Sequence, residues 1–210
     1  MSKVGKIFML DDDAIFLDMY RELLAARGYD VFSVTNAYKF LLYAREVHPD
    51  LFILDVNMPE VSGWEVLQLL DEESKKLAPV VMLTMLSDKN LAVAKGVAHY
   101  LNKPVEMEKF MDIVDSYGKG GQNHDVLLID DYDPLSPEIM DALRENDISF
   151  FEVNDLNAAQ IYMRKNTPRA VLIKYSRPRF DETAPKIRHK KIFYVENRDN
   201  IKEIALHLKD

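Results

Sequence analysis

Four aspartates, a threonine and a lysine have the types and positions to do chemistry together. Asp11, Asp12 and Asp13 follow the apolar run "IFML", Asp55 closes "LFILD", Thr84 closes "PVVMLT", and Lys103 follows "AHYLN". Carboxylates gathered within a few ångströms repel one another: two unit charges at ~4 Å cost about 4 kcal/mol at an effective dielectric of 20. Such a cluster calls for a cation. Magnesium suits it, being a hard ion that takes a few carboxylates, keeps several waters and favours phosphate oxygens for its remaining positions. One carboxylate can then attack phosphorus as a nucleophile. The ammonium of Lys103 and the hydroxyl of Thr84 would meet the charge on the phosphoryl oxygens.

For these groups to converge, the apolar runs must be neighbouring strands with their carboxyl ends on one side, where open parallel sheets bind ligands. The sequence is patterned accordingly. Short apolar runs near 6–10, 30–34, 51–54, 79–83 and 98–101 alternate with stretches of helical spacing near 14–27, 37–47, 64–77, 89–96 and 106–117. That alternation predicts a doubly wound α/β fold with a five-stranded parallel sheet. In the last of these helices Met107, Phe110, Met111, Val114 and Tyr117 form one apolar stripe. The glycine-rich "GKGGQNH" that follows predicts a linker over 119–124 between a domain at 1–118 and another at 125–210. Beyond it the pattern restarts, with "DVLLIDD" for "KIFMLDD" and "PRAVLIK" for "PDLFILD". A shift of 119 positions carries Asp11 onto Asp130, Asp12 onto Asp131 and Asp55 onto Lys174 without a gap, the mark of an internal duplication. After Lys174 the phase is lost and too few residues remain for a full copy. The second domain is expected to lack about one strand and one helix.

The four motifs "IFMLDDD", "LFILDVNMPEVSGWEVL", "PVVMLT" and "AHYLNKPV" resemble, in order, those of the receiver domain of two-component response regulators, over residues 1 to about 118. The resemblance implies a flavodoxin-like fold, phosphoryl transfer from a histidine kinase, a phosphotransfer protein or a small phosphodonor, and Asp55 as the acceptor. It implies a magnesium site made by Asp12, Asp55, the backbone carbonyl of Asn57 and, through water, Asp11. It gives Thr84 and Lys103 the phosphoryl group, and makes Tyr100 an aromatic that swings inward afterwards. Two departures stand out. Thr84 and Lys103 are closer in sequence than in many family members, which trims the segment near 87–96, puts the common dimer face in doubt and leaves a dimer as an open alternative. Met85 stands where the family usually has a small residue, so slow autodephosphorylation is expected. The second copy resembles a truncated pseudo-receiver: Lys174 replaces the acceptor, and its ammonium is expected to serve Asp130 and Asp131 where the first copy would use a metal.

Composition narrows the remaining classes. The chain is 48% hydrophobic and 30% charged with a formal charge of −8, an ordinary globular balance. Without cysteine, disulfides, thiolate metal sites and cysteine nucleophiles are excluded, and the five histidines show no zinc-binding spacing. No apolar run is long enough to span a bilayer and the start carries no signal-peptide pattern, so a cytoplasmic location with no membrane partner is expected. The segment 174–191 carries seven Lys or Arg against two acids. It lacks the patterns of nucleic-acid-binding motifs, so a solvated loop is the more ordinary reading and nucleic acid is not expected. With no separate catalytic output in sight, the expected output is protein contact by a non-enzymatic signalling protein. A constitutive, unphosphorylated tandem-receiver scaffold is the alternative. The terminal "EIALHLKD" reads as a helix ending a chain or a domain.

Overall fold

The computed structural model describes residues 5–85, 97–120, 124–129, 137–154, 156–174, 189, 191–195 and 198–208, residues 137 and 198 by their backbone alone. The chain divides into two compact units, Met1–Gly120 and Gly121–Asp210.

In the first unit β1 (Lys6–Leu10), β2 (Asp30–Val34), β3 (Leu51–Asp55), β4 (Val80–Thr84) and β5 (His99–Asn102) form one parallel sheet in the order β2-β1-β3-β4-β5. The residues of β3 and β4 are buried throughout. That burial explains why these runs are continuously apolar rather than alternating: helices cover both faces. The helices are α1 (Ala14–Ala26), α2 (Ala37–Val47), α3 (Gly63–Leu69), α4 (Glu72–Leu77) and α5 (Met107–Gly118). Phe8, Phe40 and Phe52 knit β1, α2 and β3 together, with ring centroids 4.4 to 6.3 Å apart.

Two local features differ from the sequence expectation. Asp13 does not join the acidic cluster, because its carboxylate caps α1, accepting from the amides of Ile15 and Phe16. The single helix expected over 64–77 is two. Asp71 leaves the helical region and caps α4 through the Ser74 amide, and its second oxygen takes the Ser74 hydroxyl and Arg45 Nε of α2. The competing cap interrupts a helix whose apolar spacing continues straight through. The helix expected near 89–96 lies outside the described residues.

The second unit has a parallel sheet of β6 (Val126–Ile129), β7 (Phe150–Val153), β8 (Ala170–Lys174) and β9 (Ile192–Val195), ordered β7-β6-β8-β9, with helices α6 (Pro137–Glu145), α7 (Leu156–Lys165) and α8 (Arg198–Leu208). This order repeats that of the first four strands of the other sheet, and β6, β7 and β8 fall where the shift of 119 puts β1, β2 and β3. In the second sheet β9 pairs directly with β8, the slot β4 holds beside β3. This pairing keeps the ladder of β8 satisfied in a sheet that has four strands among the described residues. Ile139 and Leu143 of α6 meet Ile201, Ile204 and Leu208 of α8 in one buried cluster.

Candidate functional site

The carboxyl ends of β1, β3, β4 and β5 deliver the predicted residues to one place. Asp55 ends β3 and Thr84 ends β4, both buried, and the next residue after β5 is Lys103. Asp11 follows β1, also buried, while Asp12 beside it is exposed. Oxygens of Asp11, Asp12 and Asp55 lie within 4.8 Å of one another, a donor set of hard oxygens on two buried residues and one exposed residue that fits a magnesium ion. The pairing of β4 with β5 sets Thr84 opposite Asn102, and the Lys103 amide donates to the Thr84 carbonyl at 2.8 Å, bringing lysine and threonine to the same rim.

Two contacts make this geometry tight. Lys103 Nζ lies 2.7 Å from Asp11 Oδ2 and 2.7 Å from Asp55 Oδ1, with side-chain exposures of 17% for the lysine and 3% and 2% for the acids. Burial opposes the lysine's charge, yet its bonds to Asp11 and Asp55 outweigh burial and hold its pKa above the ordinary value. Burial in turn raises the Asp11 carboxyl, against hydrogen bonds from Lys103 and the Asp13 amide that lower it. Behind Asp55 the chain must turn closely: a Cβ on Gly63 would stand 2.2 Å from the Asp55 carbonyl oxygen, so the residue that starts α3 has to be glycine.

Around the cluster, Asn57 turns its side chain to accept from the Met85 amide at 3.1 Å, joining the loop after β3 to the one after β4. Met85 itself is 68% exposed beside Thr84. Tyr100 is half-buried with its hydroxyl oxygen buried, its ring 5.7 Å from that of Trp64. Sequence reasoning passed over Phe16, whose ring centroid is 4.4 Å from Lys103 Nζ. The available signal was local: Asp13 as cap fixes Phe16 in the first turn of α1, and Phe16 and Tyr20 share a helix face. In the second unit Lys174 ends β8 and is half-buried. Its expected partners Asp130 and Asp131 lie outside the described residues, as does most of the basic segment 174–191.

Comparison with known proteins bears on residues 7–115, which match the response regulator receiver domain family. Polar-differentiation response regulators DivK from Brucella ovis and Brucella abortus are each 32% identical over 115 residues, covering 53% of this chain and 94% of theirs. The chemotaxis response regulator CheY4 of Vibrio cholerae superposes with a TM-score of 0.50 at 26% identity, over 54% of this chain and 98% of that one. A receiver domain protein from Clostridium thermocellum gives 0.50 and 26% over 54% and 94%. The family match ends at residue 115 and leaves the second unit without one.

Proposed function

Since the chain belongs to the response regulator receiver family of two-component signalling through residues 7–115, we propose that it receives a phosphoryl group on Asp55 and passes the signal on by protein contact. The observation that carries this reading is the buried Asp55 carboxylate, 2.7 Å from Lys103 Nζ and grouped with Asp11 and Asp12. A carboxylate oxygen of Asp55 attacks phosphorus and forms the O–P bond as the P–N bond of a phosphohistidine breaks, the electron pair leaving with the imidazole. With acetyl phosphate the P–O bond breaks and acetate leaves. Asp11, Asp12 and Asp55, with the Asn57 backbone carbonyl, would hold magnesium, whose charge screens the phosphoryl oxygens from the carboxylates. Lys103 moves from the acids toward a phosphoryl oxygen and Thr84 donates its hydroxyl to another. Tyr100, packed beside Trp64, reports the change to the surface as the inward-facing aromatic. Water must pass Met85 to hydrolyse the acyl phosphate, so the phosphorylated state is long-lived.

The second unit reads as a degenerate receiver-like domain. Its support is the strand order shared with the first unit and the placement of Lys174 at the strand end that Asp55 occupies there. A lysine cannot form an acyl phosphate, so this unit serves as a contact surface and takes no phosphoryl group.

Intact mass after incubation with magnesium and acetyl phosphate tests the reading, using wild type, Asp55→Asn and Lys174→Ala. One added phosphoryl group on wild type and Lys174→Ala, absent from Asp55→Asn, is expected, with decay over minutes to hours. An adduct that survives in Asp55→Asn would overturn the assignment of the acceptor. A wild type that neither gains mass nor binds beryllofluoride would leave a constitutive scaffold.

A further inference from the structure

Lys103 is held on three sides, and only two of them are carboxylates. Asp11 Oδ2 and Asp55 Oδ1 each stand 2.7 Å from Nζ, and the third side is the face of Phe16, with its centroid at 4.4 Å. That ring is backed by other aromatics. It stacks on Tyr20 at 4.2 Å with an interplanar angle of 29°, and Tyr20 meets the wholly buried Phe110 of α5 edge-on at 5.0 Å and 87°. The Phe16 ring is therefore fixed by the core of the α1 and α5 layer rather than by the site it faces.

The two kinds of wall differ in what happens to them during phosphoryl transfer. Asp55 becomes esterified, and both Asp55 and Asp11 belong to the oxygen cluster proposed for magnesium, so each attachment of Lys103 to a carboxylate has to loosen. The ring takes part in neither change. An aromatic face attracts an ammonium through its quadrupole within about 6 Å and imposes no hydrogen-bond direction, so the cation can pivot against it. We propose that Phe16 is a positioning residue for Lys103: its face retains the ammonium in the crevice while the hydrogen-bond partners change from the Asp11 and Asp55 carboxylates to a phosphoryl oxygen. This rests on the reading of Asp55 as phosphoacceptor, and adds a residue outside the acidic cluster to the machinery of transfer.

The test grades the quadrupole while keeping the shape. Mono-, di- and trifluorophenylalanine placed at position 16, together with Phe16→Tyr and Phe16→Leu, are compared in the full chain for the rate of phosphorylation by acetyl phosphate with magnesium. The rate should fall stepwise with fluorine number and be lowest in Phe16→Leu, about 2- to 30-fold below wild type, with Phe16→Tyr close to wild type. Equal rates across the series, or a Phe16→Leu variant that matches wild type, would overturn the proposal.

A second measurement needs no phosphoryl transfer and separates this proposal from the one it rests on. In the unphosphorylated protein the Lys103 ε-methylene protons should give two resolved, ring-shifted NMR signals in wild type and Phe16→Tyr, and merge toward free-lysine positions in Phe16→Leu. If wild type takes no phosphoryl group, the acceptor reading fails while the lysine signals still report whether Phe16 orders Lys103. Lysine signals unchanged by Phe16→Leu would overturn the positioning role whatever the phosphorylation result.

Discussion

A single buried base shows how individual residues set the limits within which the site works. His99 of β5 is enclosed, its Nε2 3.2 Å from the Tyr117 hydroxyl. Burial, with the charge of Lys109 adding to it, pushes its pKa down to about 3 from an ordinary 6.5. The folded state thus prefers neutral imidazole more strongly than the unfolded chain does. The stability this gives is complete above pH 6.5 and is lost progressively as the pH falls toward 3. Urea unfolding at a series of pH values, followed by the fluorescence of the single tryptophan, Trp64, should show this acid limb in wild type and a shallower one in His99→Gln. Identical limbs would mean that carboxylates alone control acid unfolding. The residues that the structure groups at the candidate site were legible in the sequence because each closes or follows an apolar run, and a polar side chain at the end of a buried strand has few places to point except the crevice. His99 and Phe16 were not. His99 looks like one polar residue in a strand, and Phe16 meets Lys103 only through the fold.

At the scale of elements, the strand assignments followed from sequence because the continuous apolar runs of β3 and β4 demand burial on both faces. The break between α3 and α4 did not, since "WEVLQLLDEESKKL" keeps its apolar spacing across the interruption. What decides it is capping chemistry. Asp71 with Ser74 three residues on is a helix start, and Arg45 of α2 braces the same carboxylate at 3.1 Å. Hydrogen bonds from the Ser74 amide first, then from Arg45 and the Ser74 hydroxyl, hold the Asp71 carboxyl far below the usual carboxylate range. Removing an N-cap costs about 1 kcal/mol, and an exposed ion pair adds no more than about 1 kcal/mol. Asp71→Ala should therefore lower the melting temperature of the first unit by several degrees, and Asp71→Asn, which keeps the cap, should recover most of the loss. A melt of Asp71→Ala indistinguishable from wild type would mean that α3 and α4 fuse into the helix that the apolar spacing describes.

For the whole molecule, the first three strands of the second unit were readable because β6, β7 and β8 keep the phase of β1, β2 and β3. The placement of β9 was not readable, since only the need to pair β8 decides which slot the last strand takes. The two units differ in the charge at corresponding strand ends. The first unit groups the oxygens of Asp11, Asp12 and Asp55 within 4.8 Å, whereas at the corresponding strand end of the second unit Lys174 supplies a positive charge in place of an acid. An ammonium where a carboxylate would be removes one ligand and repels a divalent cation, so magnesium should act on one unit alone. Hydrogen exchange of the full chain with and without magnesium reads both units in one experiment. Amides of Asp11 to Asp13 and Val56 to Met58 should exchange more slowly when the ion is present, because a ligand that binds only the folded state suppresses local opening. Those of β6, α7 and β8 should be unchanged. Protection of β8 on adding magnesium would mean that the second unit has kept an ion site despite Lys174. Lys174→Ala makes the converse case: if the ammonium is what holds that strand end together, exchange in β8 should quicken in this variant while the response of the first unit to magnesium stays as it was.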